Sequence, residues 1–342
     1  MRVLFRVDAS GRMGGGHWLR SMALAQACLA LSSNCESAVF WCFAEGPQGL
    51  QQRLVSLGIQ PYALAVEPSS TADAEATIAL ARSLNADWLV LDGYHFSATY
   101  RQQLTAGLHP ACRVLWIDDL FAAEEAHVDW VLNSTALAQE DDYGQARVLA
   151  GLDYVLLRED YWQPPTPADD CRSLFVNFGA TDAFGLTLPV IELLGRAGIT
   201  TPVEVVTGPG VENAPEIAAR CEALGFIHHH DLPSLTPVLA RSQLALTAAG
   251  STLHELAYWQ IPSVLLIVAD NQLASAHWHQ DKGWCQSFDA RSEGALVEAV
   301  ATASHLLENT TRRQLMQKAA HGIIDGQGAR RVAALMQEAI AR

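Results

Sequence analysis

The first twenty residues, MRVLFRVDASGRMGGGHWLR (Met1–Arg20), decide the fold that we predict for this chain. Val3–Val7 is a mainly apolar run, and such a run predicts a buried strand. A loop with four glycines follows, and an apolar-periodic helix then continues to about Leu31. Strand, glycine loop and helix in this order form the unit of a doubly wound α/β domain, whose ligands bind beyond the carboxyl ends of the strands.

His17 stands where this predicted helix starts. The backbone amides of a glycine loop at a helix N-terminus are enough to bind a phosphate, so an added imidazole suggests catalysis. A histidine that only caps the helix or lies on the surface is the simpler alternative. The loop contains neither the Gly-x-Gly-x-x-Gly pattern of dinucleotide-binding domains nor the Gly-Lys-Ser/Thr of a P-loop, so neither of those sites is predicted.

The composition limits the classes of partner and the cellular compartment. A chain of 342 residues, 50% of them hydrophobic, is long enough for two domains with sizeable cores. Its net charge of −15 would repel nucleic acid and anionic membranes, so we expect neither as a partner. The seven cysteines are scattered and form no Cys-x-x-Cys pair, which is typical of a reducing compartment. Because the sequence has no signal-peptide pattern and no apolar span of ~18 residues, we predict a cytoplasmic protein.

Strand and helix patterns alternate along nearly the whole chain, which favours parallel sheets covered by helices on both faces. The fold class that we predict is α/β, with two Rossmann-like doubly wound domains facing a cleft. Helical patterns separate the strands, for example at Gln48–Leu57 and Ala214–Leu224. After the first strand, the predicted strands are Ser37–Phe43, Trp88–Asp92, Val114–Ile117, Trp130–Leu132, Tyr154–Leu157, Leu174–Gly179, Val203–Thr207, Phe226–Ile227, Leu244–Ala248 and Ser263–Val268.

One segment interrupts this alternation and is the best candidate for a linker between domains. It runs from Glu159 to Asp170 and contains three prolines within four residues, flanked by acidic residues. We therefore predict an N-terminal domain over residues 1–162, which carries His17, and a C-terminal domain over residues 170–326. Residues 327–342 form a predicted helix, and we expect this helix to pack back on the N-terminal domain.

The second half of the chain contains its own pattern for binding an anion. A predicted strand leads through Gly250, Ser251 and Thr252 into a helix that carries Glu255 one turn inside. Gly250 allows a close backbone approach, and the two hydroxyls can cap the helix and donate to an anion. A carboxylate at Glu255 suits the hydroxyls of a ribose, because carboxylates accept hydrogen bonds. A helix that is merely capped is the alternative.

Two further strand ends in this half carry groups that could face the same ligand. Asn271 and Gln272 start another helix after the next strand, and the amides there would point in the same direction. The turn after the first strand of the half contains Gly179, Thr181 and Asp182, and it could close over a phosphate or a sugar. An ordinary helix cap and an ordinary βα turn are the alternatives at these places.

The histidines suggest a metal site, but their spacing argues against one. His228, His229 and His230 are adjacent on a short predicted strand, where neighbouring side chains point to opposite faces. His277 and His279 do not form the His-x-x-x-His spacing of a helical metal site. We therefore expect no metal and no cofactor.

Several motifs recur together along nearly the whole chain. The first is Arg6-x-Asp8-x-Ser10-x-x-x-Gly14-x-Gly16-His17-x-x-Arg20 at the N-terminus. The others are Asp92–Tyr94, Ile117–Leu120, Asp129–Asn133, Gly151–Arg158, Asn177–Asp182, Gly250–Glu255, Asn271–Gln272 and Ile324–Arg331. Together these motifs make the chain similar to a known enzyme family, the UDP-sugar hydrolases of the pseudaminic acid pathway. Ala180 departs from the family pattern, in which a second glycine is common at that place.

This resemblance implies an inverting, metal-independent enzyme that hydrolyses UDP-2,4-diacetamido-2,4,6-trideoxy-β-L-altrose. It also implies the glycosyltransferase-B architecture, which these enzymes share with the lipid II N-acetylglucosaminyltransferases. His17 would be the general base that activates water for attack on the anomeric carbon. The C-terminal domain would bind UDP, with the uracil near Phe226 and Ile227, the ribose on Glu255, and the diphosphate on Gly250, Ser251, Thr252, Asn271 and Gln272.

The resemblance and the glycine loop also place substrate around His17. We expect the positive end of the helix dipole to disfavour the imidazolium form, and we expect Asp8 to orient the second ring nitrogen of His17. A glycosyltransferase, a UDP-sugar 2-epimerase of the same fold and an inactive nucleotide-sugar-binding module are the alternatives. We expect a monomer. The remaining predicted substrate-binding residues are Asp8, Gly14, Gly15, Gly16, Arg20, Tyr94, Gly179, Thr181 and Asp182.

Overall fold

The computed structural model describes residues 1–9, 15–31, 38–120, 125–139, 143–168 and 172–341. The chain divides into two compact units. The first unit contains the N-terminal strand, residues His17–Glu159 and the chain from Gly326 onward, and the second contains Asp160–Asp325 together with Gly15 and Gly16. Each unit is an α/β domain built on a parallel sheet, so the predicted pair of Rossmann-like domains is confirmed.

The first domain has a sheet of seven strands, all parallel, in the order β3-β2-β1-β4-β5-β6-β7. Its inner strands are buried on both faces because they consist of apolar residues, and helices cover them. The strands are β1 (Arg2–Val7), β2 (Ala38–Phe43), β3 (Gln60–Ala63), β4 (Trp88–Asp92), β5 (Arg113–Ile117), β6 (Trp130–Asn133) and β7 (Arg147–Ala150). The first four helices are α1 (Gly16–Ala30), α2 (Gln48–Ser56), α3 (Thr71–Ser83) and α4 (Ala98–Gly107).

The second domain has a sheet of six parallel strands in the order β10-β9-β8-β11-β12-β13. The strands are β8 (Ser173–Asn177), β9 (Val203–Thr207), β10 (Ile227–His230), β11 (Ser242–Ala248), β12 (Ser263–Ile267) and β13 (Cys285–Asp289). The helices are α5 (Thr187–Arg196), α6 (Ala214–Leu224), α7 (Thr236–Leu239), α8 (Thr252–Tyr258), α9 (Asp270–Asp281), α10 (Ala295–Glu308) and α11 (Thr310–Ala320).

The last helix, α12 (Gly328–Ile340), belongs to the first domain although the second domain precedes it in the chain. The indole N–H of Trp88 on β4 donates to the backbone oxygen of Met336 at 3.2 Å. At the start of the helix, a Cβ on Gly328 would collide with the backbone of Val155, so only glycine fits there.

Both sheets change winding direction once, and such a switch point is where open α/β sheets bind ligands, beyond the carboxyl ends of the strands. In the first domain the switch point lies between β1 and β4, and in the second between β8 and β11. The fold therefore marks one place in each domain where functional side chains are expected.

Two differences from the predicted elements lie in the first domain. The strand predicted at Tyr154–Leu157 is wrong, because Leu152–Tyr154 forms a 3₁₀ turn and the outer strand is Arg147–Ala150. The strand Gln60–Ala63 at the opposite edge was not predicted. Within the described ranges, no helix has both the length and the apolar character needed to cross a membrane.

Candidate active site

His17 lies in the first turn of α1, directly after the glycines Gly15 and Gly16, and its side chain is almost fully buried. Strand β1, which precedes this loop, pairs with β4 in a register that places Val7 opposite Asp92. Asp92 is the last residue of β4, so its carboxyl group lies at the switch point of the first sheet. The imidazole and the carboxylate meet there.

Asp92 holds His17 by a short hydrogen bond. Nδ1 of His17 lies 2.7 Å from Oδ1 of Asp92, which is completely buried. Burial alone would raise the pKa of Asp92. The charges of Arg20 and His17 and their hydrogen bonds outweigh this effect and lower the pKa to about 2. A carboxylate only accepts hydrogen bonds, so a hydrogen bond to Asp92 requires the proton of neutral His17 on Nδ1 and leaves Nε2 able to accept a proton. Nη2 of Arg20 lies 3.0 Å from the same Nδ1, and in this tautomer it donates to Asp92 instead.

Arg20 balances the charge of Asp92 and links it to a second carboxylate. Its Nε and Nη2 donate to the two oxygens of Asp92 at 2.8 and 2.6 Å, and its Nη1 donates to Asp119 at 2.7 Å. The hydroxyl of Ser21, one residue further along α1, also donates to Asp92 at 2.8 Å. Arg20, predicted to contact substrate, thus has its guanidinium committed to this network of charges.

Tyr94, which is predicted to bind substrate, lies beside His17. The two rings are edge-on, with centroids 4.4 Å apart, and the Tyr94 hydroxyl donates to Asp119 at 3.1 Å. Tyr94 is 48% exposed, so its ring forms an accessible surface next to the buried imidazole. Such a surface can position a sugar while the imidazole acts on water.

Asp8 does not orient His17, and that prediction is wrong. Its carboxylate forms an ion pair with Arg6, whose Nη1 lies 2.7 Å away. It accepts from Nε2 of His95 at 2.9 Å and from the backbone N–H groups of Ala44 and Glu45. Burial raises the pKa of Asp8, but these hydrogen bonds and the charge of Arg6 hold it well below its usual value. Asp8 therefore fixes the chain after β1 to the loop after β2.

Arg6 continues this buried network into the interior of the domain. Its Nε and Nη2 donate to the two oxygens of Asp73 at 2.9 and 2.7 Å, and both side chains are fully buried. Asp73 lies in the first turn of α3 and also accepts from the backbone N–H of Ser69 at 2.8 Å. Arg6 is thus a buried cation between the carboxylates of Asp8 and Asp73, and these contacts fix the end of β1, the strand that leads to His17.

The switch point of the second domain is tied together by neutral groups. Asn177, the last residue of β8, donates to the backbone oxygen of Val206 at 2.8 Å and accepts from the N–H of Gly179 at 3.1 Å. The hydroxyl of Thr247 on β11 donates to the backbone oxygen of Asn177 at 2.6 Å, and the hydroxyl of Thr252 lies 3.5 Å from its side-chain oxygen. These bonds join the ends of three neighbouring strands.

The turn after β8 has the special backbone that its sequence suggests. Gly179 has a φ of +88° and Asp182 a φ of +43°, whereas Ala180 has no positive φ, so the departure from glycine at that place causes no strain. The carboxylate of Asp182 accepts from the N–H groups of Leu186 and Thr187 at 2.8 and 2.9 Å. Asp182 thus shapes the turn and the start of α5.

Gly208, which follows β9, allows this turn to lie close to the neighbouring one. A Cβ on Gly208 would collide with the backbone of Ala180, and the N–H of Gly210 donates to the oxygen of Ala180 at 3.0 Å. Thr181 lies in the same pair of turns. The two adjacent strand ends therefore present closely spaced backbone, as an anion-binding site needs.

The helix that follows β11 carries the predicted ribose and diphosphate residues. Gly250 precedes it, Ser251 is its N-cap residue, Thr252 is its first residue and Glu255 lies in its first turn. The side chain of Ser251 makes no capping hydrogen bond within the described part of the chain, contrary to the expected capping role, and Ser251 is exposed. Its hydroxyl is therefore not committed to the helix.

Helix α9 brings Asn271 and Gln272 to the carboxyl end of β12. Oε1 of Gln272 accepts from the N–H of Val268 at 2.9 Å, so this side chain closes the loop between β12 and α9. Asn271 is exposed in the first turn of the same helix. Asp270 is bound to Arg291 at 2.6 Å.

Phe226 and Ile227 are not brought to the same edge of the sheet as the other predicted residues. Ile227 is the first residue of β10, and β10 runs parallel to β9, so this residue lies at the amino edge of the sheet. Phe226 packs against the core cluster of the domain, and Ile227 is 49% exposed. The predicted place for the uracil is corrected accordingly, because His230 and Asp231 occupy the carboxyl end of β10.

The three adjacent histidines alternate in direction, as predicted. His228 and His230 both contact the hydroxyl of Thr207, at 2.8 and 3.0 Å, whereas His229 contacts Glu204 at 2.9 Å. Among the described residues, no cluster of three or more His, Cys, Asp or Glu side chains could hold a metal ion.

Sequence reasoning placed His17, Arg20 and Tyr94 in the site but missed the role of Asp92. The position of Asp92 at the end of an apolar strand was visible in the sequence, but its neighbour depends on the strand order, which puts β4 next to β1. Gly14 lies outside the described residues.

Known proteins resemble this chain in sequence. The UDP-2,4-diacetamido-2,4,6-trideoxy-β-L-altropyranose hydrolase of Campylobacter jejuni is 24% identical over 298 residues, which are 83% of this chain and 98% of that protein. The predicted resemblance is confirmed. The spore coat polysaccharide biosynthesis protein SpsG of Bacillus subtilis is 23% identical over 217 residues, which are 57% of this chain and 59% of that protein. No known protein-family profile matches the chain.

Solved structures identify the fold. MurG of Acinetobacter baumannii superposes with a TM-score of 0.65 at 15% identity, covering 98% of this chain and 99% of that protein. The UDP-GlcNAc 2-epimerase of Neisseria meningitidis superposes with a TM-score of 0.61 at 14% identity, covering 99% and 100%. The glycosyltransferase-B fold is therefore shared by proteins named as transferases and as epimerases, and the reaction must be argued from the site.

Proposed function

We propose that the protein is a nucleotide-sugar hydrolase that cleaves UDP-2,4-diacetamido-2,4,6-trideoxy-β-L-altropyranose into UDP and the free sugar, with inversion at the anomeric carbon. The observation that carries the proposal is the hydrogen bond between Nδ1 of buried His17 and Asp92 at 2.7 Å. The similarity to the Campylobacter jejuni hydrolase, which covers 98% of that protein, supports this substrate. The reaction would serve pseudaminic acid biosynthesis.

In the proposed step, the oxygen of a water molecule attacks the anomeric carbon from the side opposite the diphosphate. The bond between this carbon and the diphosphate oxygen breaks, and its electron pair leaves with UDP. Nε2 of His17 accepts the proton of the water, and Asp92 stabilises the positive charge that develops on the imidazole. General-base assistance of this kind contributes about 10²–10⁴-fold to the rate.

Arg20 gives this base its particular electrostatic setting. Two of its N–H groups donate to Asp92, so the carboxylate is already balanced by a cation before the reaction starts. Asp92 can therefore fix the orientation of the His17 imidazole while its own charge is already compensated.

The second domain is proposed to bind UDP at its switch point. Glu255 would accept from the ribose hydroxyls, and the backbone of Gly250, Ser251 and Thr252 would donate to the diphosphate. The uncommitted hydroxyl of Ser251 and the closely spaced turns at Gly179 and Gly208 support an anion there. UDP is a good leaving group, so helix amides suffice to stabilise its charge.

The experiment that tests the proposal follows the purified protein and a panel of UDP-diacetamido-trideoxyhexoses by proton NMR in water enriched with ¹⁸O. We expect release of UDP without any acceptor, a first-formed anomer of inverted configuration, and the ¹⁸O in the sugar rather than in UDP. UDP release that requires an added acceptor would identify a transferase. An epimerised UDP-sugar without free UDP would identify an epimerase, and binding without turnover an inactive module.

The role of His17 is tested separately with His17→Asn. We expect a loss of turnover of about 10²–10⁴-fold, with the affinity for UDP within about twofold of the wild type. His109→Asn, which changes an exposed histidine of the same domain, is the matched control and should leave both quantities unchanged. Turnover of His17→Asn within about tenfold of the wild type would refute the assignment of the base.

A further inference from the structure

Asp119 reaches the candidate active site from the end of a third strand. It lies two residues after β5, and β5 pairs with β4 so that Ile117 stands opposite Asp92. One oxygen of its carboxylate, Oδ2, accepts from Nη1 of Arg20 at 2.7 Å and from the hydroxyl of Tyr94 at 3.1 Å. The other oxygen is buried and accepts no hydrogen bond within the described ranges. Arg20 and Tyr94 therefore hold this carboxylate, and both belong to the candidate site.

The neighbouring residue, Asp118, makes its contacts in the interior of the domain. Its side chain is buried and accepts from the hydroxyl of Tyr143 at 2.6 Å and from the backbone N–H of Leu120 at 3.2 Å. Tyr143 belongs to the hydrophobic core of the first domain. One of the two adjacent aspartates thus fixes the chain after β5 to the core, whereas Asp119 bonds to the candidate site.

The first connection from Asp119 to His17 runs through Tyr94. The Tyr94 ring stands edge-on to the imidazole, but nearly half of the residue is exposed. A ring that is packed on one side only has several rotamers open to it, and the hydrogen bond from its hydroxyl to Asp119 selects one of them. Burial, and then the charge of Asp119, raise the pKa of Tyr94 well above its usual value, so the hydroxyl keeps the proton that it donates.

The second connection runs through Arg20. Its Nη1 donates to Asp119, and its Nε and Nη2 donate to Asp92. Asp92 is the carboxylate that holds His17. A guanidinium is planar and its N–H groups point in fixed directions, so acceptors on two of its edges hold it in one orientation. Asp119 thus fixes the side of Arg20 that faces away from Asp92.

We propose that Asp119 is a positioning residue for the reaction. It holds the Tyr94 ring and the Arg20 guanidinium, and these two groups in turn limit the orientations of the His17 imidazole. This inference rests on the proposed hydrolase function. Because a displacement of about 1 Å at a reacting centre can cost about 100-fold in rate, loss of this support should lower kcat. The affinity for UDP should not change, since UDP is proposed to bind to the second domain.

The geometry is tested without substrate, by NMR on the full-length protein with ¹³C-labelled histidine at a fixed alkaline pH. The chain contains twelve histidines, and His17→Asn assigns the Cε1–H resonance of His17 by its disappearance. The aromatic ring current of Tyr94 shifts this resonance, and Tyr94→Leu gives its position without the ring. We expect Asp119→Ala to move the resonance towards that position. Asp119→Asn should leave it near its place in the wild type, because the amide oxygen still accepts both hydrogen bonds.

Steady-state kinetics and UDP titration of the same variants test the effect on the reaction. Asp119→Ala should lower kcat about 10- to 100-fold with the affinity for UDP within about twofold, and Asp119→Asn should recover most of the lost rate. Tyr94→Phe removes the hydroxyl that Asp119 binds. In that background Asp119→Ala should therefore cost a smaller factor in kcat than in the wild type.

Asp118→Asn is the matched control, because it changes the adjacent carboxylate, which is bound to Tyr143. It should lower the urea midpoint and leave the His17 resonance and kcat unchanged. An unmoved His17 resonance in Asp119→Ala would overturn the proposal. So would equal losses of kcat in Asp119→Ala and Asp119→Asn, or an undiminished loss in the Tyr94→Phe background.

The two measurements also separate this inference from the proposed function. A wild-type protein that turns over no UDP-sugar would contradict the proposed function, whereas the NMR comparison reports on the position of the Tyr94 ring without any substrate. If Asp119→Ala fails to fold, Tyr94→Phe decides, because it breaks the same hydrogen bond and keeps the ring. We then expect the His17 resonance to move in Tyr94→Phe, and an unmoved resonance would overturn the proposal.

Discussion

The two parallel sheets switch winding direction at equivalent places, yet the groups at the two switch points differ in charge. Between β1 and β4, His17 contacts Asp92, and Arg20 joins Asp92 to Asp119. Between β8 and β11, the strand ends are held by the neutral side chains of Asn177 and Thr247. The comparison teaches that one topology supports two tasks, because the residues at the strand ends decide whether protons can move there.

The two domains also differ in where their buried charged side chains lie. In the first domain, charged groups are buried directly beneath the switch point, where Arg6 lies between Asp8 and Asp73. In the second domain, the buried carboxylate Glu204, with its partner Arg241, is the second residue of β9 and so lies near the amino edge, away from the switch point. Charged side chains that are held in place before the reaction suit a catalytic centre. Neutral backbone donors suit a site that binds an anionic ligand.

The largest expected effect comes from removing a buried charge in the first domain. Asp73→Asn removes a buried charge that pairs with Arg6, and the uncompensated guanidinium should lower the free energy of unfolding by about 3–5 kcal/mol. Urea denaturation measures this difference. Glu75→Gln, at an exposed position on the same helix, is the control and should change little. A loss below about 1 kcal/mol would mean that the network contributes no more than a surface ion pair.

The next effect concerns the reacting centre itself. Asp92→Asn should lower kcat about 100-fold and leave the affinity for UDP unchanged, because an amide can hold His17 in the wrong tautomer. Steady-state kinetics and UDP titration measure the two quantities, and Asp153→Asn, at an exposed position of the same domain, is the control. If kcat were retained while UDP affinity fell, Asp92 would not act through His17.

We expect a smaller effect from changing the neutral groups at the switch point of the second domain. Asn177→Ala removes the hydrogen bonds to Val206 and Gly179, and we expect a loss of about 2 kcal/mol in the free energy of unfolding and several-fold weaker UDP binding. Ser173→Ala, at the other end of the same strand, should leave UDP binding unchanged. Equal effects of both variants on UDP affinity would argue against a binding role for this strand end.

The smallest effect is a pH dependence of the second domain. Burial, and then the nearby His254, lower the pKa of fully buried His279 to about 3, whereas the unfolded chain protonates this group near its ordinary value of about 6.5. Stability from this group is thus complete above about pH 6.5 and falls as the pH drops towards 3, by about 1 kcal/mol at pH 5.5.

His279→Gln should remove this part of the pH dependence, and His277→Gln, at an exposed position on the same helix, should not. Thermal unfolding at pH 7.5 and 5.5 provides the comparison. An identical loss of stability in all three proteins would place the acid sensitivity elsewhere.

The strands that the sequence failed to predict correctly share one physical property, their place in the sheet. Gln60–Ala63, Arg147–Ala150, Ile227–His230 and Cys285–Asp289 are the four outermost strands. An outer strand is paired on one side and partly exposed, so it lacks the continuous apolar run that revealed β1, β4 and β12. Its bounds depend on neighbouring strands rather than on its own residues.

The residues of the candidate site also fall into two groups: those that a local sequence pattern predicts and those that depend on the order of the strands. His17 and Glu255 were predictable because each follows a strand signal and opens a helix, which is a local pattern. The partner of His17 was not, since Asp92 is 75 residues away and the strand order alone makes the two neighbours. Asp8 was the closer carboxylate in sequence, but its side chain is committed to Arg6 and His95.

Helix α12 has a consequence for how the chain matures during synthesis. Trp88 in the first sheet bonds to Met336, so the first domain stays incomplete until the helix has left the ribosome, after the whole second domain. The second domain is nearly continuous in sequence and can finish folding on the nascent chain. The first domain is therefore completed only after the second domain has been made, and the proposed catalytic machinery would assemble on a domain closed by this late helix.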